Sequence, residues 1–187
     1  MRLYALCDQD LLDKKGLSIY DFVKIAKDND AEIIQYRSKN ASLEFIKKQL
    51  IEIRKEFDGI LIVNDAYTLF KFCDGVHLGQ EDLKNIDMDI SKSIKIIRDM
   101  ISDDKIIGIS THNKDEILQA NELDINYIGL GAYRDTTTKT DINYVLGDNV
   151  DKLASISRHP VGVIGGVTMD DKFNHITYHV IGSGLLK

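Results

Sequence analysis

Short apolar runs alternate with longer amphipathic stretches along the whole chain, and this alternation limits the possible folds more than any other feature. Eight apolar runs occur, at 2–7, 32–37, 59–63, 75–78, 105–109, 126–130, 160–164 and 177–181. Each has the length of a strand buried on both faces. Between them lie stretches with helical spacing at 20–29, 43–57, 66–73, 91–101, 114–123 and 147–156, and a much shorter one at 169–175. Ser18 with Asp21 three residues on forms a capping-box signature, and Ser42 is a second helix-start signal. Strands that alternate regularly with helices pair in parallel through helical crossovers. Eight such units predict a closed (β/α)8 TIM barrel over a single domain, residues 1–187, with an open flavodoxin-like sheet as the competing arrangement.

Length shapes that expectation. Such barrels commonly run to about 250 residues, and this chain has 187. The seventh helical stretch is barely two turns, and only Ser183-Gly-Leu-Leu-Lys187 follows the last apolar run. The predicted barrel is therefore compact, with a shortened C-terminal end that lacks the last helix.

Composition excludes several classes of function. A formal net charge of −6 disfavours general nucleic-acid binding, which needs a basic surface to displace counterions. No apolar run approaches the roughly 18 residues of a membrane-spanning helix, and the first residues turn acidic at Asp8 before a signal peptide's apolar region develops. The expectation is a cytoplasmic protein with small-molecule substrates, no nucleic-acid or membrane partner, and room for a homo-oligomer. Cys7 and Cys73 lie far apart in apolar stretches and read as buried, reduced thiols.

A barrel of this type builds its site from the loops at the C-terminal ends of its strands. Those positions hold Gln35-Tyr-Arg-Ser-Lys39, Asn64-Asp65, Gly79-Gln-Glu-Asp82, Ser110-Thr-His112, Thr136-Thr-Thr-Lys139, Gly165-Gly166 and Gly182-Ser183. Gln35, Arg37 and Lys39 alternate, so an extended strand presents them on one face. There they either grip a phosphate or diphosphate or form a solvated strand edge. Asp65 and Asp82 suit Mg2+, which takes one or two carboxylates and completes its shell with water and phosphate oxygens; they equally suit helix N-caps. The glycines of Gly165-Gly166 expose backbone N–H groups to a phosphate, and hydroxyls beside a cation at 136–139 form a second anion-site candidate. His77 reads as a hydrogen-bonded core residue, and His112 is the better placed of the two histidines. His159, His175 and His179 carry no role.

Gln35-Tyr-Arg-Ser-Lys39, Asn64-Asp65, Asp74-Gly-Val-His-Leu-Gly-Gln-Glu-Asp82, Gly108-Ile-Ser110, the Thr-x-Thr-Lys of 136–139 and Ile164-Gly-Gly166 resemble, in order and spacing, the thiamine phosphate synthase family. The 74–82 block is the most specific. The resemblance implies a (β/α)8 barrel that joins hydroxymethylpyrimidine diphosphate to a thiazole phosphate, releasing pyrophosphate with Mg2+ as cofactor. It implies that Gln35, Arg37, Lys39, Asn64, Ser110 and Lys139 bind the pyrimidine diphosphate, with Arg37, Lys39, Ser110 and Lys139 assisting catalysis. Asp65 and Asp82 then carry Mg2+, and Thr136, Thr138, Gly166, Ile181 and Gly182 hold the thiazole phosphate. The chain departs from the pattern at Gly131-Ala-Tyr-Arg-Asp-Thr136, where the family has Gly-Pro-x-Phe-x-Thr, and at 180–184. These departures concentrate on the thiazole phosphate side. The competing readings are a thiazole tautomerase on the same fold, a non-catalytic thiamine-phosphate or pyrophosphate-binding homologue, and another phosphate-binding barrel such as an epimerase or aldolase.

Overall fold

The computed structural model describes residues 2–135 and 145–186. Among them eight strands run β1 (Arg2–Asp8), β2 (Ala31–Arg37), β3 (Ile60–Asn64), β4 (Gly75–Leu78), β5 (Ile106–Thr111), β6 (Tyr127–Leu130), β7 (Val161–Ile164) and β8 (Tyr178–Ile181). Each pairs in parallel with the next, and β8 pairs back onto β1, which closes the barrel. The open sheet is excluded by that last pairing.

Among the described residues seven helices cover the outside: α1 (Gln9–Lys15), α2 (Ile19–Asp28), α3 (Leu43–Glu56), α4 (Gln80–Ile86), α5 (Ile90–Met100), α6 (Lys114–Ala120) and α7 (Asn149–Ala154). On α3 the buried positions Ile46, Leu50 and Ile53 recur at helical spacing and face the sheet. Ser18 caps α2 as its sequence predicts: its Oγ accepts from Asp21 N at 3.1 Å, and the Asp21 carboxylate accepts from Ser18 N at 2.8 Å. Among the described residues no helix is long and apolar enough to cross a membrane. Cys7 and Cys73 are buried free thiols, and burial pushes the pKa of both upward.

Several elements differ from the sequence reading. The stretch at 66–73 is a 3-10 helix (Tyr67–Phe72) rather than an α-helix. The short stretch at 169–175 forms no helix: the amides of its last residues, Asn174 and His175, donate to the Asp151 carboxylate at 3.0 and 2.9 Å. Two helices were missed, α1 and α4. After β8 the described chain makes one 3-10 turn (Ser183–Leu185) and no α-helix, as the shortened end predicts.

The barrel interior is not purely apolar. Tyr4, Leu6, Ile33, Ile62, Tyr127 and Val180 pack inside it. A Cβ on Gly108 would lie 2.1 Å from the Tyr127 ring, so the β6 tyrosine crosses the barrel only because β5 carries a glycine there. Tyr127 places its hydroxyl 2.8 Å from Tyr4 OH and 2.9 Å from His77 Nδ1. These polar groups form a satisfied layer beneath the barrel mouth.

Candidate active site

All eight strands point the same way, so their C-terminal ends meet at one mouth. From the interior layer a line of hydrogen bonds rises to it. Tyr4 OH donates to Gln35 Oε1 at 2.6 Å, Gln35 Nε2 donates to Asn64 Oδ1 at 2.5 Å, and Asn64 Nδ2 donates to the Asp65 carboxylate. The two amides are thereby fixed in orientation, with oxygens and nitrogens assigned by their partners. Three of the predicted site residues, from β2 and β3, are thus in direct contact.

Arg37 ends β2 and is mostly buried, as is the Asp8 carboxylate with which it forms an ion pair. Asp8 is a residue the sequence reading passed over. One of its oxygens accepts from Leu11 N at 3.1 Å and so caps α1, while the other holds Arg37. A guanidinium held from one side presents its remaining donors in a fixed direction. Lys39 lies two residues further on, in the exposed loop after β2.

Asp65, just after β3, and Asp82, in the first turn of α4 after the neighbouring β4, meet at the mouth. Burial and then the Asp82 charge, with a hydrogen bond between the two carboxyls, push the Asp65 pKa up from 3.8 to about 7; Arg37 pulls it the other way. The Asp65 backbone sits at φ +59°, in the left-handed region that is costly for most side chains. It is held there by Asp65 N donating to His77 O at 2.9 Å and Tyr67 N donating to Asp65 O at 2.7 Å. Neither carboxylate is an N-cap: Gly79 holds that position on α4, and Asp82, three residues on, accepts from Gly79 N at 3.2 Å. Asp65 caps no helix; Ala66 occupies the N-cap position of the 3-10 turn.

Two like charges forced together favour a cation between them. Among the described residues no group of three or more His, Cys, Asp or Glu side chains is arranged to hold a metal. A two-carboxylate pair suits Mg2+, which takes few protein ligands and completes its shell from water and substrate phosphate. The donor set fits that ion.

His77 is the buried, hydrogen-bonded residue the sequence predicts, and it, rather than His112, touches a candidate site residue. Its Nε2 lies 3.0 Å from Ser110 Oγ, while Nδ1 meets Tyr127 OH. His112 turns outward instead, with Nδ1 3.0 Å from Glu116 Oε2 on α6. Ser110 is bound a second time, through its carbonyl, by Gln80 Nε2 at 2.6 Å. The β5 end is therefore locked to β4 and α4 by side chains.

On the opposite side, Gly165 and Gly166 have φ +93° and +64°, conformations that favour glycine. Ile181 turns its side chain into the outer core, leaving its backbone and Gly182 to border the mouth. Thr136, Thr138 and Lys139 lie outside the described residues. Arg134 sits beside the glycines, paired with Asp171.

Comparison with known proteins places these features. Residues 3–182 match the family model described as thiamine monophosphate synthase. The chain is 34% identical to the thiamine-phosphate synthase of Persephonella marina over 172 residues, covering 89% of this chain and 77% of that protein. It is 37% identical to that of Caldicellulosiruptor bescii over 175 residues, covering 90% and 74%. The structure of a thiamine phosphate pyrophosphorylase from Pyrococcus furiosus superposes with a TM-score of 0.74 at 25% identity, covering 97% of this chain and 85% of the other. An N-acetylmannosamine-6-phosphate 2-epimerase from Clostridium perfringens shares the fold at 14% identity, with a TM-score of 0.65.

Proposed function

The chain belongs to the thiamine monophosphate synthase family, a transferase family of thiamine biosynthesis, and we propose that its barrel mouth joins hydroxymethylpyrimidine diphosphate to thiazole phosphate. The observation that carries this reading is the Asp65–Asp82 pair, set at the end of the Tyr4–Gln35–Asn64 line and beside Arg37. Together these groups pair a cation site with the cationic and amide donors a diphosphate needs.

In the proposed reaction the bond between the pyrimidine methylene carbon and the diphosphate oxygen breaks, and the electron pair leaves with pyrophosphate. The thiazole nitrogen then gives its lone pair to the methylene cation, forming the new carbon–nitrogen bond. Asp65 and Asp82 would hold Mg2+, which when bound supplies positive charge to the diphosphate. Arg37, oriented by Asp8, meets the negative charge that grows on the leaving group, with Lys39 and Lys139 added to it; fixed charges of this kind favour the transition state over the ground state. Gln35 and Asn64, with fixed amides, orient the pyrimidine, and Ser110 is aimed by His77. Gly166, Gly182 and the Ile181 backbone, with Thr136 and Thr138, take the thiazole phosphate. No protein nucleophile is required. The same reading takes residues 1–187 as one domain working in the cytoplasm on two small molecules.

Incubating the protein with both substrates and Mg2+ tests this reading. Thiamine phosphate and pyrophosphate are expected in equal amounts. Binding of both substrates with no product above background would leave a non-catalytic binding protein instead.

A further inference from the structure

The loops after β6 and β7 run together beyond the ends of their strands. Tyr133 N donates to Ile164 O and Arg134 N to Gly165 O, both at 2.9 Å. The approach is closer than side chains on the second loop would permit: a Cβ on Gly165 would lie 2.8 Å from Ala132 Cβ, and one on Gly166 would lie 2.7 Å from Arg134 Cβ.

Arg134 ties this pair of loops to a third point. Its Nη1 donates to Gly166 O at 3.0 Å and to Asp171 Oδ2 at 2.9 Å, while Nη2 donates to Asp171 Oδ1 at 2.7 Å and to Tyr133 OH at 3.0 Å. The guanidinium also lies over the Tyr133 ring, 4.2 Å from its centre. Asp171 in turn accepts from Thr168 N and Oγ1 at 2.8 and 3.0 Å, which closes the turn after the glycines.

The Asp171 carboxylate is nearly covered, and Arg134 first, followed by Thr168, holds its pKa down at about 2, so the pair stays charged throughout the neutral range. A pinned Gly166 carbonyl fixes its whole peptide plane, and with it the direction of the Val167 N–H, because the peptide unit is planar and trans. Barrels of this kind draw on the N-terminus of a short extra helix to present amides to a phosphate. Among the described residues, 168–177 form no helix, and the orientation is imposed by a side-chain pair instead.

We propose that Arg134 and Asp171 are a positioning pair that aims the Gly165–Gly166 backbone at the phosphate of the second substrate, the thiazole phosphate. The inference rests on the synthase reading and adds residues to it: Arg134 stands where the family pattern has Phe.

The test is steady-state kinetics with each substrate varied in turn, on the wild type, Arg134→Leu, Asp171→Asn and the double variant, with Tm recorded for each. A bidentate charge-assisted contact supports an expectation of roughly a 10-fold rise in KM for the thiazole phosphate in each single variant. KM for the pyrimidine diphosphate and kcat should stay within about 2-fold, and the double variant should be no worse than the worse single one, as for residues acting as a unit. Arg134→Lys, which keeps the charge but loses the two-pronged grip, should recover only part of the loss. Asp171→Asn is close to isosteric and carries the test should Arg134→Leu fail to fold. An unchanged thiazole phosphate KM in folded variants overturns the inference, as does a parallel change in both KM values with a lowered Tm. A wild type that makes no thiamine phosphate is a distinct result: it overturns the synthase reading, and this inference with it.

Discussion

Replacing Asp65 by Asn should make the metal-free protein more stable at pH 8 while abolishing its activity. Burial and Asp82 lift the pKa of the Asp65 carboxyl from 3.8 to about 7. In the unfolded chain this group ionises near 3.8, whereas in the folded protein it keeps its proton until about pH 7. The folded state thus binds more protons between those values, and stability falls as pH rises through that window. The full displacement would be worth about 4 kcal/mol at 1.36 kcal/mol per pKa unit. Asp65 as a whole residue is exposed at the rim, its carboxyl being enclosed chiefly by Asp82 and its neighbours, and solvent screening reduces this to about 1–2 kcal/mol. Asn has the same shape and can still pair with Asn64 and Asp82, but it carries no charge. For a chain of this size the gain is a Tm rise of about 3–6 °C at pH 8 in chelator, shrinking as pH is lowered toward 5. Thermal unfolding of both proteins across that pH range measures it directly. A variant less stable than wild type at pH 8, or equally stable at every pH, would refute the claim that the two carboxylates are held against their mutual repulsion. Loss of a metal ligand should also lower kcat by roughly 100-fold or more, as removing one preorganised electrostatic contact commonly does.

Two further substitutions probe the parts that hold the site in place. Gly108→Ala sets a methyl group against the Tyr127 ring, where a Cβ would lie 2.1 Å away; overpacking of this kind costs about 1–3 kcal/mol, read by denaturant unfolding. Asp8→Ala strands the largely buried Arg37 cation and uncaps α1. Loss of one partner of a buried pair costs about 3–5 kcal/mol, and pyrophosphate affinity should fall with it, as calorimetric titration would show.

The strands were legible because each is a short apolar run covered on both faces; their number favoured the barrel, while the choice against an open sheet came from the pairing of β8 with β1. Helices α1 and α4 were not legible. Each is seven residues long with one buried side chain, Leu12 or Leu83, so neither offers a periodic apolar face. The expected helix at 169–175 failed where Asp151, distant in sequence, takes up the amides of Asn174 and His175, a competition that composition does not reveal.

At the candidate site, the rule that chemistry gathers at strand ends singled out Gln35, Arg37, Asn64, Asp65, Asp82 and Ser110, which the fold brings to one end of the barrel, and Lys39, which lies on an exposed loop. What it missed were partners distant in sequence. Tyr4 and Tyr127 are 123 residues apart yet 2.8 Å from each other. Asp8 looked like the acidic end of an apolar run until it was found against Arg37. His112 was preferred to His77 by position alone, but the direction of each ring depends on Glu116 and Ser110, which only the fold brings near. Arg134 lay inside a stretch that departs from the family pattern, and its meaning came from Asp171, 37 residues further on.

The central claim is that Asp65, Asp82, Arg37 and Lys39 together hold a diphosphate and its metal. A crystal structure with Mg2+ and pyrophosphate bound tests all four at once. The account predicts the metal between the Asp65 and Asp82 carboxylates, sharing oxygens with a pyrophosphate that contacts Arg37 and Lys39. Pyrophosphate bound elsewhere, or a metal that leaves the two carboxylates paired with each other, would contradict it.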